Sequence, residues 1–462
     1  MTGLRLSDIA RLMRGTLLQG NPEAVVSSFI FDSREATPGS FFFALKDKRD
    51  GHLFVKDAYE RGASAACISE RISGLPIDFG LILVEDTLKA LQTLAGKLLA
   101  QSQLKVVGIT GSIGKTSTKE FTARLLSEKF KVLKSPGNFN NQIGLPISIL
   151  SMKNTDQVAI LEMGMNHRGE IKRLTEIAPP DVAVLTGVAP VHLEFFRDLE
   201  EIALAKQEIL EGARDGAVAV LNGDDPRVRK MAAEYKKGPV IFYGCSPDCQ
   251  VRAENLQSLG WDGWSLDLIY GRERTSLRVP FLNQALVFNL LAACAVAFSF
   301  DLKLADFYPA FSDLPLVEQR GQLLRLKNEI SIYDDSYNSN PVALDWVLKS
   351  LGRIPARRKI AVLGDMLELG PQEIEFHRRA GKTVAQSGWD YLVTVGLRAK
   401  HMAEGAVENG LGGGNISSFS EASEVGLWLK TILKPGDFLL VKGSRGLALE
   451  KIINFLKNEL ED

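Results

Sequence analysis

One stretch of this 462-residue chain constrains its fold more than any other. A β-branched apolar run over residues 106–110 leads into a turn with two glycines, a lysine and two hydroxyl residues follow, and a helical pattern then opens over 118–122. The glycines let the backbone curl so that successive N–H groups face one anion at the positive end of the helix. The lysine can reach terminal phosphates and the threonine hydroxyl can bind magnesium, so the stretch predicts a short ATP-binding P-loop. The residues expected to form it are Gly111, Ser112, Gly114, Lys115, Thr116 and Ser117.

The length of the chain and its alternation of strand and helix patterns predict several α/β units. Roughly 150 residues per domain suggests about three domains. Continuous apolar strands separated by helical patterns are typical of a parallel sheet that is covered on both faces. We therefore expect a small N-terminal α/β domain over 1–84, a central parallel-sheet P-loop domain over 85–312, and a C-terminal Rossmann-like α/β domain over 313–462.

Composition limits the partners and the compartment. The chain has 55 basic and 56 acidic residues, so no charge excess suggests a nucleic-acid surface. Four scattered cysteines fit a reducing compartment, and the N-terminus lacks the core of a signal peptide. The apolar stretch 285–300 is short and has polar neighbours, which favours a buried helix over a membrane span. We expect a cytoplasmic protein with no membrane span, and a monomer.

Two polar residues lie where the predicted central sheet would hold a ligand. Glu162 ends the strand predicted at 158–161, and His192 follows the strand predicted at 182–185. In open α/β sheets the ligand crevice lies at the carboxyl ends of the strands, so Glu162 is placed to bind a metal near the P-loop. For His192 the position is equally compatible with a structural role and with a ligand role.

Lys206 does not fit the pattern of its predicted helix. Leu199, Ile202, Ile209 and Leu210 form an apolar stripe at helical spacing, and Lys206 occupies the same face. One interpretation is that the lysine stem covers apolar surface while the ammonium reaches water. The other is that the amine is buried and neutral, because burial lowers the pKa of a lysine. The residues alone favour the first.

A polar segment follows the strand predicted at 330–333. Asn340 is a good helix N-cap and Pro341 fits the first helical turn. Capping needs neither the two aspartates at 334–335 nor Tyr337, so these could contact a nucleotide or a second substrate. The segments 364–370 and 442–446 also follow predicted strands and would line the same edge of the sheet.

Together these residues resemble the Mur ligase family of peptidoglycan synthesis, over essentially the whole chain. The segments that carry the resemblance are 32–34, 38–39, 42–45, 50–52, 110–116, 138–146, 162–164, 192–194, 205–206, 337–341 and 364–370. The patterns at 337–341 and 364–370 are similar to those of the member that adds D-alanyl-D-alanine to UDP-N-acetylmuramoyl-tripeptide. The resemblance thus implies a bacterial, ATP-dependent amide-bond ligase that works through an acyl phosphate, with a UDP-sugar-binding N-terminal domain.

The resemblance also implies roles for single residues. It reverses the interpretation of Lys206, because family members have at this position a carbamylated lysine that binds magnesium. The implied catalytic residues are Lys115, Glu162, His192 and Lys206, and the implied ligands of two magnesium ions are Thr116, Glu162, His192 and Lys206. Further nucleotide contacts are implied for Asn289, Arg320 and Asp335. Substrate contacts are implied for Ser33, Arg34, Asn138, Asn141, Tyr337, Asn338 and Asn340.

Two other functions stay open. A sibling ligase, including one that acts on folate and glutamate, would share the nucleotide-binding core. A non-catalytic ATP-binding regulator would explain why residues 283–286 read Asn-Gln-Ala-Leu where the family has Gly-x-His-Asn. The complete set of predicted metal ligands argues against the regulator.

Overall fold

Four sheets organise the chain in the computed structural model, which describes residues 3–461. The N-terminal part has a two-stranded antiparallel sheet and a five-stranded sheet of order β2-β7-β6-β5-β4, in which only β2 runs antiparallel to its neighbour. The strands are β1 (Leu4–Arg5), β2 (Thr16–Gln19), β3 (Val25–Val26), β4 (Ser28–Ile30), β5 (Ser40–Phe43), β6 (Ala65–Ile68) and β7 (Gly80–Leu83). The helices are α1 (Leu6–Met13), α2 (Val55–Glu60) and α3 (Thr87–Gln101).

The central sheet has nine strands in the order β16-β15-β14-β13-β12-β11-β8-β10-β9. The strands are β8 (Lys105–Thr110), β9 (Val132–Lys134), β10 (Val158–Glu162), β11 (Val182–Leu185), β12 (Val218–Asn222), β13 (Val240–Gly244), β14 (Val251–Ser258), β15 (Trp264–Tyr270) and β16 (Glu273–Val279). The helices are α4 (Lys115–Leu126), α5 (Gly144–Leu150), α6 (Glu170–Ile177), α7 (Leu199–Glu211), α8 (Pro226–Glu234), α9 (Ala285–Ser299) and α10 (Leu304–Phe307).

The central sheet is parallel from β9 to β14, as expected, but β15 and β16 extend it as antiparallel strands. The sequence pattern did not predict this extension. Buried residues alternate with partly buried ones over 264–268 of β15 and with exposed ones over 276–279 of β16, as in a sheet with one solvated face. Such strands lack the continuous apolar run that marks the buried parallel strands.

Helix α9 is a core helix, which agrees with the interpretation of residues 285–300. Ten of its residues are buried, including the unbroken run from Leu290 to Ala297. Among residues 3–461 no single helix is long and apolar enough to cross a membrane, and only the bent pair Ala285–Ser299 with Leu304–Asp313 meets that test by length and composition.

The C-terminal sheet has six strands in the order β17-β18-β22-β19-β20-β21, and only β17 is antiparallel. The strands are β17 (Gln322–Arg325), β18 (Ser331–Asp334), β19 (Arg358–Gly364), β20 (Tyr391–Val395), β21 (Ile416–Phe419) and β22 (Asp437–Lys442). The helices are α11 (Pro341–Gly352), α12 (Glu373–Gln386), α13 (Lys400–Glu408), α14 (Ala422–Ile432) and α15 (Glu450–Glu461). Each larger sheet lies within one of the ranges 1–84, 85–312 and 313–462, whose boundaries stay predictions.

Candidate active site

A cavity of about 280 Å³ lies between the carboxyl ends of the central and C-terminal sheets. It brings together most of the site residues predicted from sequence, although they come from two different sheets. The predicted residues that line it are Ser112, Gly114, Lys115, Thr116, Ser117, Glu162, His192, Asn289, Arg320, Asp335, Tyr337, Asn338 and Asn340.

The predicted P-loop joins β8 to α4 in a conformation that requires its glycines. Gly111 and Gly114 have φ of 149° and 83°, which disfavour other residues. A Cβ atom at Gly114 would lie 2.2 Å from Oδ1 of Asn289, so Asn289 packs directly on the loop. Gly111 does not line the cavity, but its carbonyl accepts a 2.8 Å hydrogen bond from Nζ of Lys115. Burial lowers the pKa of Lys115.

Glu162 is held by two hydrogen bonds, one from helix α4 and one from the loop before α5. Its Oε2 accepts from Oγ1 of Thr116 at 2.9 Å, and its Oε1 accepts from Nδ2 of Asn140 at 2.8 Å. The residue is only 1% exposed. The strand end therefore presents a carboxylate of fixed orientation beside the P-loop hydroxyl. Oxygen donors of this kind are the ligands that magnesium prefers.

Lys206 is buried on α7, and the interpretation in which its ammonium reaches water is wrong. The residue is 2% exposed, and none of the residues from 3 to 461 accepts a hydrogen bond from its amine or pairs with it. Burial and, to a smaller extent, the charge of Lys115 hold the pKa of Lys206 well below its ordinary value. The fold therefore buries this amine and disfavours its charged form.

His192 lies in the loop after β11 and contacts the C-terminal part of the chain. Its Nδ1 forms a short hydrogen bond with the carboxylate of Glu368. Burial lowers the pKa of the imidazole, which favours the neutral ring that can bind a metal. The φ of His192 is 56°, an uncommon value for a residue with a side chain.

The C-terminal wall of the cavity is rich in paired charges. Nζ of Lys442 donates to Oδ2 of Asp335 at 2.7 Å and to the carbonyl of Asn338 at 2.9 Å. The guanidinium of Arg320 lies 3.9 Å from the centre of the Tyr337 ring, and a second arginine, Arg445, lies 4.8 Å from it. These contacts fix the orientation of the segment that follows β18.

Asn340 is also the N-cap of α11, because its Oδ1 accepts a 2.9 Å hydrogen bond from the N–H of Ala343. The sequence predicted this cap, and Pro341 opens the helix as expected. Asn340 lines the cavity as well, so the capping role and a substrate contact can coexist in one residue.

Four predicted substrate residues do not line this cavity. Asn141 lines an adjoining cavity of about 240 Å³, which shares residues 140 and 164–166 with the first. Asn138 is exposed, Ser33 is buried in the N-terminal part, and the side chain of Arg34 is 80% exposed and paired with Asp32.

The described residues provide few side-chain ligands for a metal. Among residues 3–461 no group of three His, Cys, Asp or Glu side chains could hold a metal ion. Glu162, His192 and the hydroxyl of Thr116 are the predicted metal ligands that line the cavity, whereas Lys206 does not line it. The buried amine of Lys206 has no hydrogen-bond or ion-pair partner among residues 3–461.

Three residues with defined contacts in the site were not predicted individually. Asn140 orients Glu162, Lys442 binds Asp335, and Nζ of the buried Lys119 donates to the carbonyls of Ser135 and Gly137, each at 2.7 Å. The positions of Asn140 and Lys442 beside predicted strands or motifs were a usable signal. For Lys119 the only signal was its place one turn after the P-loop lysine.

Comparison with known proteins agrees with this geometry. Two family models match, the Mur ligase middle domain over residues 109–297 and the Mur ligase glutamate ligase domain over 319–445. A Bacillus subtilis relative named UDP-N-acetylmuramoyl-tripeptide--D-alanyl-D-alanine ligase is 33% identical, with 98% of each chain covered.

Two crystal structures are similar over nearly the whole chain. MurF from Acinetobacter baumannii has a TM-score of 0.89 at 27% identity, with 99% of each chain covered. MurF from Thermotoga maritima in complex with ADP has a TM-score of 0.81 at 30% identity, with 94% of this chain and 98% of that chain covered. Fold and site together define a nucleotide-binding protein with a P-loop. The chain belongs to the Mur ligase family.

Proposed function

We infer that this chain is an ATP-dependent ligase that adds D-alanyl-D-alanine to UDP-N-acetylmuramoyl-tripeptide. The match along 98% of the chain to a relative with this name carries the inference. The cavity supports it, because the P-loop, Glu162 and the segment 335–340 meet there. The product is a precursor of peptidoglycan.

The chemistry explains why ATP is needed. A carboxylate is a poor electrophile because its leaving group would be oxide. The terminal carboxylate of the tripeptide attacks the γ-phosphorus of ATP, ADP leaves, and an acyl phosphate forms. The free amine of D-alanyl-D-alanine then attacks the acyl carbon, loses a proton, and releases phosphate with the oxygen that came from the carboxylate. The new bond is an amide.

The protein contributes mainly position and charge to the phosphoryl step. Lys115 would neutralise the β- and γ-phosphates, together with the N–H groups of the P-loop. Asn289, which packs on the P-loop, would contact the nucleotide from the same side, and Arg320 and Asp335 would contact it from the C-terminal side of the cavity. Binding the two substrates side by side can lower the activation barrier by roughly 7 to 11 kcal/mol through proximity alone.

Two magnesium ions fit the proposed reaction. One would be held by Thr116 and the ATP phosphates, and the other by Glu162, His192 and carbamylated Lys206. The carbamate arises when the neutral amine attacks carbon dioxide, forms an N–C bond and loses a proton. The ions would supply neutralisation of the negative charge on the phosphates and the carboxylate.

The substrate-binding roles follow the layout of the sheets. We propose that the N-terminal domain binds the UDP-sugar, with Ser33 and Arg34 near the uridine end. Asn141, which lines the adjoining cavity, and the exposed Asn138 would contact the peptide arm. Tyr337, Asn338 and Asn340 would contact the incoming dipeptide. All four cysteines are free, which supports the bacterial cytoplasm as the compartment. A monomer is the proposed state.

Phosphate release tests the function most simply. The protein would be given ATP, magnesium, UDP-N-acetylmuramoyl-tripeptide and a panel of amino acids and dipeptides. Release that depends on D-alanyl-D-alanine is the expected result. Release with another acceptor, such as glutamate, would identify a sibling ligase, and slow hydrolysis that ignores all acceptors would identify an ATP-binding regulator.

A further inference from the structure

The loops that follow β11 and β19 contact each other across the boundary between the central and C-terminal sheets. The carboxylate of Glu368 accepts a hydrogen bond from Nδ1 of His192, and its backbone carbonyl accepts from the N–H of Glu194 at 3.3 Å. One residue of the C-terminal part thus binds the His192 loop twice, through its side chain and through its backbone.

The backbone of both loops shows that they are fitted to each other. The φ values of His192, Glu368 and Gly370 are 56°, 62° and 62°. Left-handed conformations cost about 1 kcal/mol or more in residues that carry a Cβ, so surrounding contacts must hold them. A Cβ atom at Gly370 would lie 2.8 Å from the carbonyl oxygen of Leu193, so the loops approach too closely there for a side chain.

The hydrogen bond also determines which nitrogen of His192 is free. With Nδ1 engaged by the carboxylate, only Nε2 can bind a metal. Histidines that bind metals commonly donate their other N–H to a carboxylate, which sets the tautomer and the ring orientation. Glu368 does not line the cavity, whereas His192 does. Glu368 therefore reaches the site only through His192.

We propose that Glu368 is a positioning residue that orients His192 for metal binding, so that docking of the C-terminal sheet completes the metal site. The proposal rests on the proposed function, in which His192 is a magnesium ligand. Its consequence is that the metal is bound fully only when the part of the protein that binds the dipeptide is in place.

Manganese affinity of the full-length protein tests this without relying on activity. Mn²⁺ would be titrated in bicarbonate buffer and followed by electron paramagnetic resonance. Glu368→Ala is expected to weaken binding by about 10- to 100-fold, the usual effect of losing such a partner. Glu368→Gln should weaken Mn²⁺ binding less, because the amide oxygen still accepts a hydrogen bond from Nδ1. If the alanine variant does not fold, the glutamine variant is compared with the wild type instead.

A double-mutant cycle separates positioning from a general structural role. In a His192→Ala background, Glu368→Ala should weaken Mn²⁺ binding no further. Glu373→Gln is the matched control, because this carboxylate pairs with Arg398 in the same part of the protein and should leave affinity unchanged.

Wild-type affinity in both Glu368 variants, or an equal loss with and without His192, would overturn the proposal. The phosphate assay on the wild type keeps the two ideas apart. If wild-type phosphate release depends on D-alanyl-D-alanine while the Glu368 variants bind Mn²⁺ like the wild type, the positioning proposal alone fails. If wild-type phosphate release does not depend on D-alanyl-D-alanine, the proposed function fails whatever the metal data show.

Discussion

The carboxyl edges of the central and C-terminal sheets both carry buried charged groups, but they differ in whether those groups have partners. At the C-terminal edge Asp365 accepts hydrogen bonds from the N–H groups of Arg398 and Ala399, at 2.9 and 2.6 Å. Lys442, 3% exposed, is bonded to Asp335 and to a backbone carbonyl. Every one of these charges is satisfied by the protein itself.

The central edge keeps one charge-bearing group without a partner. Glu162 and Lys115 have protein partners, whereas the amine of Lys206 has none among residues 3–461. Leaving a buried polar group unpaired costs stability, so such a group points to chemistry rather than to architecture. The two edges therefore differ in that these buried charges of the C-terminal edge are paired within the protein, whereas the central edge leaves the amine of Lys206 unpaired among residues 3–461.

The largest expected effect is at the P-loop. Lys115→Ala should lower dipeptide-dependent phosphate release by about 10³-fold, because removing a preorganised charge that stabilises the transition state has effects of this order. Lys105→Ala, an exposed lysine of the same sheet, is the matched control and should retain full turnover. Unchanged turnover in Lys115→Ala, with a normal unfolding transition, would contradict the ATP assignment.

Substitution of Lys206 should have the next largest effect, and it tests most directly whether the unpaired amine at the central edge has a chemical role. Lys206→Ala should lose at least about 10²-fold in turnover, as expected when a metal ligand is lost. Short carboxylic acids should restore part of it by replacing the carbamate oxygens. Lys206→Arg should also fail, because a guanidinium is not carbamylated. Rates of Lys206→Arg close to the wild type would exclude the carbamate.

Stability should respond in opposite directions at the two edges. Lys442→Met leaves the carboxylate of Asp335 without its cation and should lower the free energy of unfolding by about 3 kcal/mol. Lys206→Met removes a buried amine that has no partner and should raise that free energy. Denaturant unfolding of both variants in CO₂-free buffer measures these two changes in the free energy of unfolding. A loss of stability in both variants would contradict the claimed difference between the two sheet edges.

The gain from Lys206→Met should also depend on pH. Because the folded-state pKa of Lys206 is lowered, the unfolded chain binds a proton that the folded chain does not, between that value and about 10.4. Wild-type stability therefore rises with pH across this window, by up to about 1.4 kcal/mol per unit. The advantage of Lys206→Met should shrink from pH 7 to pH 10. An advantage that is independent of pH would mean that folding does not lower the pKa of Lys206.

The smallest expected effect concerns the C-terminal wall. Tyr337→Leu removes the ring on which Arg320 and Arg445 lie, and each such contact is worth about 0.5–1 kcal/mol at an exposed site. The KM for D-alanyl-D-alanine should rise by a few-fold, and the KM for ATP should rise less, through the lost contact of the ring with Arg320. A change confined to ATP would assign Tyr337 to the nucleotide instead.

The fold was predictable where a segment carries its own signal. The strand at 182–185 was predicted to the residue, because it is a continuous apolar run between Asp181 and Thr186. Strands β15 and β16 were not predicted, because polar residues interrupt their apolar residues and leave no continuous apolar run as a signal. The P-loop was predictable because its turn and its helix are contiguous in sequence, so that one segment contains the whole motif.

The contacts that orient the site were not predictable in the same way. Asn140 lies 22 residues from Glu162, and Glu368 lies 176 residues from His192, so each pair meets only through the packing of separate strands. Lys206 was visible as a polar residue on an apolar face. Only its burial and its lack of a partner decide between the two interpretations, and both depend on the neighbours of α7 in space.

The central claim is that the tripeptide carboxylate becomes an acyl phosphate in this cavity. Its most direct test uses UDP-N-acetylmuramoyl-tripeptide with ¹⁸O in both oxygens of the terminal carboxylate, together with ATP, magnesium and D-alanyl-D-alanine. Mass spectrometry of the released phosphate should find one ¹⁸O atom in each molecule, because the carboxylate oxygen leaves with the phosphorus. Phosphate without the label, released as the amide forms, would contradict the mechanism.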